Sequence, residues 1–105
     1  MERAEALSQG GDDRDARFWV AIIAARVHAA SGHSAEAIQK LVTVLAEATK
    51  AGFVGDQLEI RLALGEIEMK SGKTGAGRAR LAALEKEAAK KDFQLIARKA
   101  AAARQ

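Results

Sequence analysis

The sequence contains no cysteine, no proline and no tyrosine, and its aromatic residues are three phenylalanines and one tryptophan. Without cysteine the chain forms neither a disulfide framework nor a thiolate metal site, and we expect a cytoplasmic protein. The scarcity of aromatic and β-branched residues argues against an all-β fold. The longest apolar run, residues 18–25, is eight residues long, whereas a membrane-spanning helix needs about 20. The absences together leave a small helical domain as the expected fold.

Alanine dominates what is present, with 25 of the 105 residues, and charged residues make up 30% of the chain. This composition favours helices, and the formal net charge of +3 is too small to indicate a nucleic-acid-binding protein. Because proline is absent, glycines mark the breaks between segments. They divide the chain into five predicted helices: 15–30, 34–52, one that begins near Asp56, one after Thr74, and 93–104.

Apolar residues recur in each segment at spacings of three and four, as they do on the buried face of an amphipathic helix. In the first segment Phe18, Ile22 and Val27 define this face. Ser34 is the predicted N-cap of the second helix, and Asp56 with Glu59 forms a variant capping box at the start of the third. The pattern therefore predicts an all-α fold with short connections.

The sequence also resembles itself when it is shifted by 40 positions. In this alignment Ser31-Gly32 matches Ser71-Gly72, Leu41 matches Leu81, Glu47-Ala48 matches Glu87-Ala88, and Phe53 matches Phe93. The matches fall at the turn, at a core position and at the exit of a helical hairpin, where a stacked unit sets its own geometry. Glycine suits such a turn because it adopts the left-handed conformation without a Cβ clash. Two copies of one helix-turn-helix unit are predicted.

The small and large residues of these two units resemble the tetratricopeptide repeat. The residues that carry the resemblance are Gly32, Ala37, Leu41, Leu64, Gly65, Gly72, Gly77 and Leu81. Two features depart from that family: the period is 40 instead of about 34, and His28 and Glu68 occupy a position that is usually aromatic. The longer period is similar to extended helical repeats in the C-terminal regions of bacterial multidomain regulators and kinases.

This resemblance implies antiparallel helix pairs that stack as a short right-handed superhelix of about two repeats and a capping helix. The expected single domain, 1–105, divides into 1–14, the end of a preceding helix; 15–53, the first repeat; 54–92, the second; and 93–105, the capping helix. Residues 2–9 are interpreted as the tail of a helix that belongs to a longer array or its remnant. The apolar face next to them is then expected to pack on upstream repeats or on a second copy of the chain.

In the family's geometry, the first helix of each unit lines a concave groove, which implies a non-catalytic module that binds a partner protein or peptide. The implied groove residues are Trp19, Ile22, Arg26, Glu59, Leu62, Glu66, Met69 and Lys70. An alternative is a dimeric or domain-swapped unit without a groove ligand, in which Trp19 and Ile22 are buried by packing. A more remote alternative is an anion or nucleic-acid binder that uses Lys73, Arg78, Arg80, Arg98 and Arg104.

Other motifs carry no chemistry of their own. The stretch 71–77 contains Gly-Lys-Thr, but a phosphate loop needs a glycine where Ile67 stands and a strand before it. His28 and His33 are five residues apart, so they do not form the i, i+4 pair of a helical zinc site, and His28 is expected to be a half-buried packing residue. We therefore predict no enzymatic activity, no metal and no cofactor.

Overall fold

The computed structural model describes the backbone from Asp13 to Gln105 and the side chains from Arg17 onward. The described chain is all-α and consists of five helices: α1 (Asp13–Ala30), α2 (Ser34–Ala51), α3 (Val54–Lys70), α4 (Thr74–Lys90) and α5 (Gln94–Ala103). The interpretation of residues 2–9 as a helix tail lies outside the described residues. Residues 13 and 14, which were assigned to that leader, belong to α1. No helix in the described part of the chain has both the length and the apolar character needed to span a membrane.

Two of the predicted helix starts are wrong in detail. His33 occupies the N-cap position of α2, so Ser34 is already the first helical residue, and no side chain caps this end. Helix α3 begins at Val54, ahead of Asp56, and Phe53 occupies its N-cap position, again without a side-chain cap. The backbone of the tight preceding turns sets these helix starts instead of the polar side chains that the sequence offers.

The turns after α1 and α3 have nearly the same backbone geometry. Gly32 and Gly72 have φ angles of +92° and +94°, in the region that favours glycine. Just before the next helix begins, the amide of His33 donates to the carbonyl of His28, and the amide of Lys73 donates to that of Glu68, each at 2.9 Å. The two corners that the shifted alignment pairs are therefore equivalent in conformation.

The turns after α2 and α4 match in the same way. Gly52 has a φ of +79°, and Asp92, its counterpart in the shifted alignment, has a φ of +69°. The amides of Phe53 and Phe93 then donate to the carbonyls of Ala48 and Ala88, at 3.0 and 2.7 Å. Aspartate is one of the few residues other than glycine that visit this conformation, which explains how the turn is kept without a glycine.

Each helix packs against the next one, and the odd-numbered helices α1, α3 and α5 also pack side by side, α1 with α3 and α3 with α5. Within the described residues, α1 contacts neither α4 nor α5, and α2 does not contact α4. The first and fourth helices thus do not meet as they would in a closed four-helix bundle. Helices α1 and α2 run antiparallel, since Arg17 near the start of α1 pairs with Glu47 near the end of α2.

The core consists of two clusters that share α3. One lies among α1, α2 and α3 and contains Phe18, Ile22, Ala25, Ala37, Leu41, Ala48, Ile60, Ala63, Leu64 and Ile67. The other lies among α3, α4 and α5 and contains Leu58, Leu62, Leu81, Leu84, Ala88, Ile96, Ala97 and Ala100. The prediction that Val27 shares the core face of α1 is wrong: its side chain is 59% exposed, because the buried stripe continues from Ile22 through Ala25 instead.

Glycines bring α3 and α4 into close contact. A Cβ atom on Gly65 would lie 2.5 Å from Cγ of Leu81, and one on Gly77 would lie 3.0 Å from the carbonyl oxygen of Gly65. The equivalent residues of the first hairpin, Ala25 and Ala37, are both buried. Small residues thus stand where the two helices of each hairpin meet.

Candidate interaction surface

The predicted groove residues lie on α1 and α3, which pack side by side. They lie at different points along the two helices, and only some of them line a common pocket. At the carboxyl ends of the two helices there is a pocket of about 180 Å³. Its lining residues are Arg26, Ala29, Ala30, Ser34, Glu66, Ile67 and Lys70. Three predicted groove residues, Arg26, Glu66 and Lys70, are therefore brought together.

A salt bridge crosses the pocket wall between the two helices. The guanidinium of Arg26 donates a hydrogen bond to the carboxylate of Glu66, and these side chains are 42% and 25% exposed. The two residues are counterparts in the shifted alignment, so each occupies the same place on its own helix. The pair links α1 to α3, while Lys70 adds an exposed cation at the same pocket.

Trp19 and Glu59 lie nearer the amino ends of α1 and α3. The Trp19 side chain is 57% exposed, which leaves its ring available to a partner. Glu59 lies in a separate cavity of about 390 Å³, which it shares with Phe53, Gly55, Asp56, Phe93 and Ile96. Neither residue lines the pocket at Arg26, so the predicted groove residues do not form one continuous site.

Three of the predicted groove residues do not present their side chains to a partner. Ile22 and Leu62 are only 4% and 2% exposed, because each belongs to one of the two core clusters. Met69 is partly buried and packs against the second cluster, with its Cγ beside Gly77 of α4. Ile22 and Leu62 are therefore core residues, and Met69 contributes to packing between α3 and α4, so these side chains do not form the groove surface that was expected.

The apolar face predicted next to residues 2–9 was not assigned to particular residues of α1. Val20 and Ile23 are 61% and 46% exposed, and with Val27 they form one stripe along the helix. The shifted alignment contains the signal that could have identified them, since their counterparts Ile60 and Ala63 are apolar as well. A periodic pattern alone does not say whether the neighbour that should cover such a stripe is present.

His28 is exposed, and its expected role in packing is therefore wrong. Its ring lies 6.0 Å from that of His33, edge to face, because the Gly32 turn folds His33 back over the end of α1. The two rings do meet despite their spacing in the sequence. Among the described residues, however, no group of three histidine, cysteine or acidic side chains is arranged to hold a metal ion.

Three of the five basic residues proposed for anion binding have other partners. Arg80 makes two hydrogen bonds to the carboxylate of Glu68, which is 5% exposed. Arg104 bonds to Glu85, and Arg78 donates to the backbone carbonyl of Arg104. Two of these arginines are thus paired with carboxylates, and the third is held by a backbone carbonyl. The Gly-Lys-Thr stretch is a turn into α4 and is preceded by α3.

One carboxyl group has a clearly shifted pKa. Arg61 on α3 donates a hydrogen bond of 2.6 Å to Glu87 on α4, and this bond lowers the pKa of the Glu87 carboxyl below its usual value, against a smaller opposing effect of burial. The pair ties the middle of α3 to the end of α4, on the side away from the pocket at Arg26.

No protein-family model, curated protein or solved structure matches this chain.

Proposed function

We propose that this chain is a non-catalytic protein-interaction module of tetratricopeptide-like architecture, which binds a peptide segment of a partner protein along α1 and α3. The resemblance to that family rests on the internal repeat and on the small residues at the helix contacts. The nearly equal φ angles of Gly32 and Gly72 support it, as does the side-by-side packing of the odd-numbered helices. A right-handed superhelical stack of the two hairpins is part of the proposal.

One observation carries the peptide-binding proposal: Arg26, Glu66 and Lys70 from two different helices meet at one pocket. Two alanines and Ile67 form the apolar part of that pocket, and charges of both signs form its rim. Such a site suits an extended peptide with a small apolar side chain and an acidic residue, which would pair with Lys70. Trp19 on the same helix pair supplies a second, aromatic anchor.

Selection from a random peptide library on the immobilised protein tests this proposal. We expect enriched peptides to share an acidic residue near a small apolar one, and to bind Trp19→Ala or Lys70→Glu at least tenfold more weakly, since aromatic anchors contribute about 2 kcal/mol or more. Glu66→Lys places a cation beside Arg26 and should weaken binding as well. Circular dichroism must show that helicity is retained in each variant.

Lys86→Glu is the matched control, because Lys86 is an exposed lysine on α4, away from the proposed site. It should bind the selected peptides as the unchanged protein does. Failure to enrich any sequence, or equal weakening by Lys86→Glu and Lys70→Glu, would contradict the proposed site.

Homo-oligomerisation is the second candidate function, and the exposed stripe of Val20, Ile23 and Val27 on α1 favours it. In this alternative the stripe of one copy packs on that of another, without a groove ligand. Light scattering distinguishes the two candidates. A monomeric mass that does not depend on concentration, for a protein that also melts cooperatively, excludes homo-oligomerisation.

We further propose a cytoplasmic location, because a chain without cysteine gains nothing from an oxidising compartment. The similarity of its repeat length to those of bacterial regulators suggests that it works beside, or as part of, such a regulator.

A further inference from the structure

Trp19 and Arg26, both part of the proposed peptide site, lie on the same side of α1. They are seven residues apart in the sequence, and seven residues fall only about 20° short of two full turns of an α-helix. Arg26 lines the pocket between α1 and α3. Trp19, whose side chain is 57% exposed, therefore lies two turns from the pocket on the side of α1 that borders it.

The helix rise sets the distance between these two points of contact. Seven residues at 1.5 Å each separate Trp19 from Arg26 by about 10.5 Å along α1. Ile23 lies between them in the sequence and is 46% exposed. Apolar surface therefore continues from the indole ring toward the pocket, so one ligand can contact both ends.

The pocket end of this surface is cationic. Arg26 and Glu66 are bonded to each other, so their charges compensate. Lys70 is exposed, and it has no hydrogen bond or ion pair with any other residue that the structure describes. An acidic residue of a partner complements this rim, whereas the indole at the other end suits an apolar residue.

The separation of the two ends selects the conformation of the bound peptide. In polyproline II, residues three positions apart lie on the same side and are about 9.3 Å apart, a distance that the flexible side chain of Lys70 can extend. In a β-strand, residues three apart point to opposite faces, and residues two apart are only about 6.6 Å apart. A helical peptide would need a broad apolar surface, but α3 offers Glu59 and Glu66 there.

We infer that the partner segment binds along α1 in polyproline II conformation, with an acidic residue at Lys70 and a large apolar residue at Trp19, three positions apart. This inference rests on the peptide-binding function proposed above. Proline between the two residues strengthens binding, because the free peptide then already has the bound conformation. The partner is accordingly expected to present a segment that is both proline-rich and acidic.

A series of synthetic peptides tests the spacing. Each peptide carries one glutamate and one leucine in an alanine and proline host, in either order, with the leucine two, three, five or seven positions from the glutamate. The peptides with a separation of three should bind at least about tenfold more tightly than those with two or five, which place only one of the two residues. Tightest binding at seven would indicate a helical ligand, and equal affinities would indicate independent contacts. Either result would overturn the inference.

Fluorescence reports contact with Trp19 directly, because Trp19 is the only tryptophan and the chain has no tyrosine. The peptide with a separation of three should shift the emission to shorter wavelength, since the leucine removes the indole from water. The same peptide with alanine in place of leucine should leave the emission unchanged. A shift with both peptides, or with neither at saturating peptide, would contradict contact between the leucine and the ring.

Substitutions on both partners assign each peptide residue to its place. In Trp19→Ala, replacing the peptide leucine by alanine should cost no further affinity, whereas replacing the glutamate by glutamine should cost as much as before. Lys70→Ala should give the opposite result. Val20→Ala is the control, because Val20 is 61% exposed but lies about 100° further round α1 than Trp19; it should change neither loss. Circular dichroism must show that each variant keeps its helicity.

The outcome separates this inference from the function on which it rests. Library peptides that lose affinity in Lys70→Glu and Trp19→Ala, but share no spacing of three, would leave the peptide site in place and reject the polyproline II arrangement alone. A library that enriches no sequence would contradict the function, and the inference would be rejected with it.

Discussion

Helices α1 and α3 have the same apolar pattern, but their surroundings differ. Helix α3 contacts α1, α2, α4 and α5, whereas α1 contacts only α2 and α3 within the described chain. Ile60 and Ile67 on α3 are consequently buried, and their counterparts Val20 and Val27 are exposed. The comparison shows that periodicity identifies the residues that can be buried, while the neighbouring helices decide which of them are.

The two helices also differ in the exposure and pairing of the polar side chains at equivalent positions. His28 on α1 is exposed, while its counterpart Glu68 is 5% exposed and is bonded by both carboxylate oxygens to Arg80. A buried carboxylate is stable only with such a partner. The more enclosed helix therefore needs a specific ion pair where the more open one tolerates a solvated side chain.

The largest expected effect comes from truncating an apolar residue at the same position of each helix. Ile67→Ala removes a side chain that is 4% exposed, and we expect the free energy of unfolding to fall by about 2 to 5 kcal/mol, from lost burial and the cavity that remains. Val27→Ala, at 59% exposure, should change it by less than about 0.5 kcal/mol. Urea unfolding of both variants measures the difference, and similar losses would mean that α1 is covered along its whole length.

The ion pair between Glu68 on α3 and Arg80 on α4 predicts the next largest effect. Arg80→Ala leaves the buried carboxylate of Glu68 without either of its two hydrogen bonds, and should lower the free energy of unfolding by about 1.5 to 3 kcal/mol. Arg17→Ala is the control, because Arg17 and Glu47 form an ion pair whose side chains are 65% and 50% exposed. Its loss should cost less than about 1 kcal/mol. The denaturation midpoints in urea decide between these values, and equal costs would refute the burial argument.

The close contact between α3 and α4 predicts a smaller change. In Gly65→Ala the new methyl group would lie 2.5 Å from Cγ of Leu81, a fully buried side chain. Overpacking costs about 1 to 3 kcal/mol, and the better helix propensity of alanine offsets up to about 1 kcal/mol of it. Gly75→Ala has open space around the new atom and should leave stability unchanged or raise it slightly. A melting midpoint for Gly65→Ala at or above that of the unchanged protein would show that Leu81 can move aside.

Much of the fold follows from the sequence because its determinants are local. The glycines at 32, 52 and 72 separate the helices, and the positive φ angle at each explains why glycine stands there. Leu41 and Leu81 were placed at a core position by the shifted alignment, and both are fully buried. Periodicity and turn chemistry were sufficient for the all-α class and for the approximate helix bounds.

The candidate site was predicted less well because it depends on contacts between helices. Arg26, Glu66 and Lys70 line one pocket, but Ile22 and Leu62 are buried, and Met69 turns toward α4. An amphipathic pattern does not distinguish a residue at the edge of a groove from one beneath it. The bidentate partner of Glu68 was missed for the same reason, since a turn separates it from Arg80 in the chain.

The smallest expected effect concerns Glu87, which is the counterpart of Glu47 in the second hairpin and bonds to Arg61. Its pKa is lowered in the folded protein from a reference value of 4.5, chiefly by that hydrogen bond. A lowered folded pKa stabilises the native state above pH 4.5, and this contribution is lost as the pH falls through the folded value. Because the carboxyl is 41% exposed, the effect should be below about 1 kcal/mol.

The difference in unfolding free energy between the unchanged protein and Glu87→Gln should therefore be greatest at neutral pH and shrink below pH 4.5. In an Arg61→Ala background, the difference in unfolding free energy that Glu87→Gln causes should be nearly independent of pH, since the main cause of the pKa shift is gone. A pH dependence that survives there would assign the pKa shift to the neighbouring lysines, Lys90 and Lys91.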